Sequence, residues 1–357
     1  MNIAYYITGH GYGHAVRSIE VIKKLLNRKK NLTIFIRTTA PEWLFTEIKS
    51  PNVVYINRRL DFGVIQKDSF KADKQKTLDE YAKLLKIKNN LINNEVEFFR
   101  TGKIDKIISD ITPFAFDAAE KTGIPGIAIG NFSWDWIYED YVTEYPNYTF
   151  VLDDIRQSCH RAAVLYKLPL SVDMPVFPNI EPAPLIAREA SLTKQQARRI
   201  LRLPEKEKIV LLAMRENDLS LVNRDNIQSI NNYRFALSSC RIDSPNVIYI
   251  PEGTLSFENI LIACDMVLSK PGYSLISECL TNKIKILYVP REDFREDIPI
   301  EKILHHDMTC VRLPMDKFIA GEWQNSLIEL DNKPENWTAF QANGADIIAG
   351  KILAFDK

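Results

Sequence analysis

The sequence predicts an α/β protein made of two Rossmann-like domains with a cleft between them. Three observations predict it. Short apolar runs of strand length alternate with amphipathic helical stretches along the whole chain. A cluster of prolines between Leu168 and Ile186 (Pro169, Pro175, Pro178, Pro182 and Pro184) divides the alternation into two halves. At 357 residues the chain is also longer than one ordinary core serves well. The expected division is residues 1–170 as a first domain, 171–190 as linker and 191–357 as a second domain, with the last helix free to cross back onto the first.

The stretch Asn2–Arg17 (NIAYYITGHGYGHAVR) organises the first half. Ile3–Ile7 reads as a buried strand, and Val16, Ile19, Ile22 and Leu25 mark one face of a helix. Between them Gly9, Gly11 and Gly13 alternate with residues that include His10 and His14, two of the five histidines in the chain. Glycine lets a ligand approach the backbone closely, and a helix start offers unpaired N–H groups to an anion. Imidazole is the side chain most readily poised between acid and base near neutral pH. A glycine-rich turn of this kind is also common in parallel α/β proteins with no catalytic role.

Further along, Leu32–Ile36 is expected as a strand, about Pro41–Ile48 as a helix and Val53–Ile56 as a strand. Phe70–Phe99 reads as one long surface helix. The basic run Val21–Lys30 could touch an anionic membrane, but a solvated helix flank explains it more simply, so membrane association is not expected. Lys106–Ser109 is a strand that delivers Asp110 to its carboxyl end, where ligands bind in parallel sheets. Asp110 reads equally well as a cap for the helix that Pro113 opens. Gly126–Ile129 is another strand, followed by NFSWDWIYEDY. Asn131, Ser133 and Asp135 arrive there at a strand end among aromatic residues, which suits an acceptor pocket; an aromatic core cluster is the other reading.

In the second half, Leu192–Leu201 is a helix with Ser191 or Thr193 near its start. Strands follow at Ile209–Ala213 and Val247–Ile250, a helix at Phe257–Ala263 and a strand at Met266–Leu268. Ser269–Leu280 (SKPGYSLISECL) mirrors the opening corner: strand end, Gly272 in the turn, then a helix starting at Tyr273 or Ser274. Its start can hold phosphate. Glu278 can accept from two vicinal hydroxyls of a ribose, since a carboxylate offers two acceptor oxygens. The strand Ile284–Val289 runs into Arg291 and a charged loop, and Phe340–Phe355 is a final helix.

The bulk numbers exclude several classes. Lys and Arg total 46, as do Asp and Glu, so no overall field recruits nucleic acid. No apolar run approaches the length of a membrane span, and the chain opens directly on a strand rather than a leader, so a cytoplasmic location is expected. The five cysteines are odd in number and lack CxxC spacing; Cys264 and Cys279 sit in apolar runs as expected buried thiols.

Three blocks carry a resemblance: YYITGHGYGHAVRSIEVIKKL, SDITPFAFDAAEKTGIPGIAIGNFSWDWIYEDY and LSKPGYSLISECLTNKIKILYVPREDFREDIP. In that order, with DMPVFPNIEPAPLIAR between the second and third, they resemble the glycosyltransferase-like N-terminal region of L-arabinokinases. The overall organisation resembles the glycosyltransferase-B architecture. No sugar-kinase half accompanies it, so arabinose phosphorylation is not implied. More distantly, the corners are similar to those of the enzyme that adds N-acetylglucosamine to the lipid-linked peptidoglycan precursor. They are also similar to the UDP-sugar hydrolase of pseudaminic acid biosynthesis, whose GxGHxxR pattern here falls on Gly11, Gly13, His14 and Arg17.

The resemblance implies a hexosyltransferase that moves a sugar from a nucleotide-sugar donor, expected to be UDP-linked, to an acceptor, with hydrolysis or binding without turnover as the alternatives. The donor is substrate and no cofactor or metal is implied. His14 would be the first choice as base, Asp110 the second and His10 the third. Gly11, Gly13, Lys270, Gly272, Tyr273, Ser274, Glu278 and Arg291 would hold the nucleotide, and Asn131, Ser133 and Asp135 the acceptor. Where such enzymes usually carry a glycine-rich loop, this chain reads LLAMREND, in which Arg215 would supply a charge-assisted contact instead.

Overall fold

A computed structural model describes residues 1–68 and 70–355. It contains two parallel sheets. The first has seven strands in the order β3-β2-β1-β4-β5-β6-β7. These are β1 Asn2–Ile7, β2 Thr33–Thr38, β3 Val53–Asn57, β4 Lys106–Asp110, β5 Gly126–Gly130, β6 Val164–Lys167 and β7 Ile180–Pro182. The second has six, in the order β10-β9-β8-β11-β12-β13: β8 Lys208–Leu212, β9 Tyr233–Leu237, β10 Val247–Tyr249, β11 Met266–Ser269, β12 Lys285–Tyr288 and β13 Cys310–Arg312. In the first sheet the strand order reverses between β1 and β4, in the second between β8 and β11. Ligands bind at such switch points, outside the carboxyl ends of the strands.

Helices cover both faces. In the first half they are α1 Gly13–Arg28, α2 Lys74–Lys86, α3 Lys88–Thr101, α4 Phe114–Thr122, α5 Trp134–Glu144 and α6 Thr149–His160. In the second they are α7 Lys194–Leu201, α8 Glu216–Leu219, α9 Arg224–Gln228, α10 Phe257–Ala263, α11 Tyr273–Asn282, α12 Asp297–Asp307, α13 Met315–Ala320, α14 Gln324–Asn332 and α15 Gly344–Ala354. Alternation along the strands divides the core. Ile3, Tyr5 and Ile7 of β1 face one apolar cluster and Ala4 and Tyr6 the other. On β8, Ile209 and Leu211 join the first of these clusters, while Val210 and Leu212 face a third. In α1 the buried Ala15, Ile19, Ile22 and Leu25 seat the helix on the sheet, about 1.5–3 kcal/mol for each large apolar side chain.

Several elements differ from the sequence reading, each for a local reason. The stretch 41–48 forms only a 3-10 turn, Glu42–Phe45, because too few apolar positions anchor it and Trp43 points to solvent. The long helix of 70–99 is two helices that meet at Ile87, and Asp73 caps the first by accepting from the Lys76 N–H. They are not merely a surface layer, since Tyr81, Leu84, Ile92 and Phe99 are buried.

The proline segment is not wholly irregular. Ile180–Pro182 pairs parallel to β6 as the edge strand of the first sheet, where a missing proline N–H is tolerated. The crossing to the second domain therefore begins after Pro182. The sequence pattern does not mark β6, α6, β9, β13, the helices between Glu216 and Gln228, or α12, α13 and α14. The final helix starts at Gly344 rather than Phe340, because the preceding backbone pairs with the crossing segment: Leu185 N–H donates to the Gln341 carbonyl and Gly344 N–H to the Leu185 carbonyl, both at 2.9 Å. α15 rests on α1, with Arg28 paired to Asp346 at 2.7 Å. Lys106 Nζ donates to the Ile352 carbonyl at 2.7 Å and to that of Phe355 at the end of the helix. All five cysteines are free thiols, and Cys264 and Cys279 are buried. Among the described residues no helix is long and apolar enough to cross a membrane.

Candidate active site

Asp110 ends β4, hydrogen-bonded in register with Ile7 at the end of β1, and is completely buried. The next residue, Ile111, has a left-handed backbone (φ 54°), a conformation a β-branched residue adopts only under constraint. Gly130 on the adjacent strand makes room for it, since a Cβ there would lie 2.7 Å from Ile111 Cγ2. This bend holds the Asp110 carboxylate under the start of α1.

Three side chains from the first turns of α1 take that carboxylate, His14 and Arg17 lying one turn apart on the same face. Arg17 binds it bidentately, Nε to Oδ2 at 2.7 Å and Nη2 to Oδ1 at 2.6 Å. Ser18 Oγ adds a bond at 3.1 Å. His14 Nδ1 lies 2.8 Å from Oδ1. Burial opposes ionisation of Asp110, but the Arg17 guanidinium and the His14 ring outweigh it and bring the carboxyl down to about 2. Arg17 Nη2 also lies 2.9 Å from the His14 Nδ1. An ionised carboxylate only accepts, so the tautomer that bonds to Asp110 carries its hydrogen on Nδ1 and its lone pair on Nε2, which has no hydrogen-bond partner among the described residues. The ring is set edge-on to Phe132 at 5.7 Å.

His10 is arranged differently. Its Nδ1 accepts the Val64 N–H at 3.2 Å, its ring stacks on Phe294 of the second domain at 5.2 Å, and Trp134 meets its edge. Burial, with His14, Arg291 and Arg215 nearby, lowers its pKa to about 3. The ring is neutral with its proton on Nε2, so it offers a donor and cannot act as the base. Gly63 (φ 59°) fits against it, with space for no side chain: a Cβ would fall 2.4 Å from the His10 Cβ.

The second domain brings its own switch point opposite. The start of α11 meets the start of α1: Ser274 Oγ donates to the Gly13 carbonyl at 2.8 Å, and Arg17 lies over the Tyr273 ring at 5.2 Å. Neither helix start is capped by a side chain. A Cβ on Gly11 (φ 68°) or Gly272 would meet nothing within 4 Å, so both turns border open space.

The cationic residues are held at the rim. Arg215 is exposed and stacks over Tyr12 at 4.5 Å. Lys270 pairs at 2.9 Å with the buried Asp218, which also accepts the Arg215 backbone N–H. Arg291 is bound by Asp297 and Glu296 and lies over Phe294 at 4.0 Å.

Not every expected residue joins this group. Of the acceptor set, Asn131 does: its Oδ1 accepts from Arg17 Nη1 at 2.7 Å. Ser133 and Asp135 bond to each other, and Asp135 faces Arg156 of α6, so they tie two helices together instead of lining the cleft. Glu278 is 2% exposed, and Arg188 of the crossing segment donates to it at 2.6 Å. Burial pushes its pKa to about 7 against the pull of Arg188. The gap beside it, lined by Val16, Arg17, Glu20 and Ser274, measures about 10 Å³, room for one water at most. No ribose fits there while the Arg188 pair stands.

Conversely, the sequence alone assigns no role to Arg17, Asp61, Arg188 or Phe294, and marks Glu296 only as part of a charged loop expected to contact substrate. Arg17 was within reach, being three residues from His14 on one helix. Asp61 accepts from Thr112 Oγ1 at 2.9 Å, and burial raises its pKa to about 6; it lies in irregular chain with no pattern to mark it. Among the described residues no group of three or more His, Cys, Asp or Glu is arranged to hold a metal ion.

Comparison with known proteins agrees with this architecture. The family model described as "Glycosyl transferase family 1" matches residues 1–298. L-arabinokinase of Arabidopsis thaliana is 28% identical over 327 residues, which is 90% of this chain and 31% of that protein. The chain thus spans about a third of the length of that relative. Among solved structures, UGT2 of Phytolacca americana, complexed with UDP-2fluoro-glucose and pterostilbene, is similar with a TM-score of 0.62 at 10% identity, covering 99% of this chain and 93% of that one. The calicheamicin glycosyltransferase CalG4 gives 0.60 at 12% identity, with coverages of 99% and 94%. The glycosyltransferase VinC in complex with DTDP gives 0.59 at 12% identity, again covering 99% and 94%. At such identities these likenesses establish the glycosyltransferase-B fold.

Proposed function

The chain belongs to glycosyl transferase family 1, and from that premise we propose that it moves a sugar from a nucleotide-sugar donor, UDP-linked in the first instance, to an acceptor hydroxyl, with His14 as the base. The observation that carries this reading is the His14–Asp110 contact of 2.8 Å at the switch point of the first sheet, opposite the uncapped start of α11.

In this reading the acceptor O–H gives its proton to His14 Nε2, while Asp110 holds Nδ1–H and stabilises the imidazolium that forms. The acceptor oxygen bonds to the anomeric carbon as the bond from that carbon to the diphosphate oxygen breaks. The departing diphosphate charge falls on the N–H groups at Tyr273 and Ser274, beside Gly272, with Gly11 and Gly13 across the cleft and Lys270, Arg215 and Arg291 at the rim. No metal is needed for that charge. Ribose contact through Glu278 requires Arg188 to give way. His10, a fixed neutral donor, orients a substrate oxygen.

Likewise, the Arg188–Glu278 pair and the absence of a glycine cradle favour one second reading, a protein that binds a sugar nucleotide without turning it over. The test is to incubate the full chain with UDP-, GDP- and TDP-sugars, with and without an acceptor panel, and measure nucleoside diphosphate release. Release that depends on an acceptor supports transfer. Free sugar formed without acceptor supports hydrolysis, and saturable binding with no release supports the second reading.

A further inference from the structure

We propose that Glu296 of the second domain positions the His14–Asp110 pair of the first, acting through Asn131 and Arg17, so that the base is held in order only when the cleft is closed. The proposal deepens the transfer reading and rests on His14 being the base.

A continuous line of hydrogen bonds carries it. Arg291 Nη2 donates to Glu296 Oε2 at 3.2 Å, anchoring that carboxylate in its own domain. Across the cleft, Asn131 Nδ2 donates to Glu296 Oε1 at 2.9 Å. Asn131 Oδ1 accepts from Arg17 Nη1 at 2.7 Å, and the remaining two arms of the guanidinium grip Asp110. Four of the five residues of this line, Asp110, Arg17, Asn131 and Glu296, are each less than a tenth exposed, so water does not substitute for the partners between them.

The chemistry permits only one arrangement. Arginine has no acceptor and an ionised glutamate has no donor. The Asn131 amide must therefore turn its oxygen to Arg17 and its nitrogen to Glu296. Opening the cleft removes Glu296, leaves the amide free to rotate, and withdraws the third contact of Arg17. A guanidinium released on that side can swing off Asp110, and with it goes the alignment of His14. Arg17 over Tyr273 is lost in the same movement. Arg17, Asn131 and Glu296 are positioning residues here, since none of them needs to touch the reacting atoms.

The test is the imidazole proton spectrum of the nitrogen-15-labelled full chain without substrate, with the His14 signal assigned by its absence in His14→Gln. The wild-type chain should give a slowly exchanging His14 Nδ1–H resonance. Glu296→Gln should retain it, because its amide oxygen still accepts from Asn131. Glu296→Ala should lose it or raise its solvent exchange at least ten-fold, with backbone amide dispersion unchanged. Asn131→Asp, which sets carboxylate against carboxylate, should behave like Glu296→Ala and carries the test alone if that variant does not fold. A resonance unchanged in these two variants, absent from the wild type, or lost equally in Glu296→Gln would overturn the proposal. No substrate is used, so failure to find turnover would contradict the transfer reading and leave this result standing.

Discussion

His14 Nδ1 and Asp110 Oδ1 lie 2.8 Å apart although 96 residues separate them in the chain. The pairing is a product of topology. β1 and β4 are neighbours in the sheet, so the turn after one and the last residue of the other meet at the same edge. Everything else in the candidate site is arranged to hold that contact or to face it.

Arg17 is the chief support, and removing it leaves a buried carboxylate without its counter-ion. Arg17→Met should lower stability by about 3–5 kcal/mol, the usual cost of breaking a buried pair by deleting one partner. Urea denaturation at neutral pH measures this directly. Because Asp110 is depressed in the folded state, its contribution is present above the unfolded value near 4 and fades as pH falls toward about 2.

His10 gives the opposite handle on pH. Its folded pKa is lowered to about 3, so between there and about 6.5 the unfolded chain binds a proton that the folded chain does not. Stability should therefore decline as pH drops through that window. His10→Gln should flatten this slope in urea midpoints measured from pH 7 to pH 4; an unchanged slope would show that His10 protonates freely.

Gly63→Ala should disturb the same corner from the other side. The left-handed backbone costs about 1–2 kcal/mol for alanine, and the new methyl collides with His10. A loss of thermal stability larger than the backbone term alone, accompanied by a shift in the His10 ring signals, is the expected outcome.

Lys106 ties the end of the last helix to the first domain. Lys106→Met removes the donor that caps the carbonyls of Ile352 and Phe355 and should cost about 1–3 kcal/mol, with amide exchange in α15 accelerating before that of the sheets.

Much of this was legible in the sequence, because strand and turn chemistry are local. The β1 turn, Asp110 at a strand end and the Gly272 corner all announce themselves by residue type and spacing. What was not legible depends on distant partners. Nothing in NFSWDWIYEDY tells that Asn131 turns to Arg17 and Glu296 while Ser133 and Asp135 turn to each other. Glu278 looked like a free acceptor because Arg188, 90 residues earlier, carries no mark of its destination. β7 was hidden by Pro182 and the prolines flanking it; Pro182 is tolerated because β7 is on the sheet edge.

The central claim is that His14 is the base of a glycosyl transfer, and its most direct test compares wild type with His14→Ala on two readouts. These are nucleoside diphosphate release from the donor that the panel identifies, and calorimetric affinity for that diphosphate. The account predicts a rate lower by about 10²- to 10⁴-fold with nearly unchanged affinity. Equal rates in the two proteins would contradict it, as would a loss of rate explained entirely by lost binding.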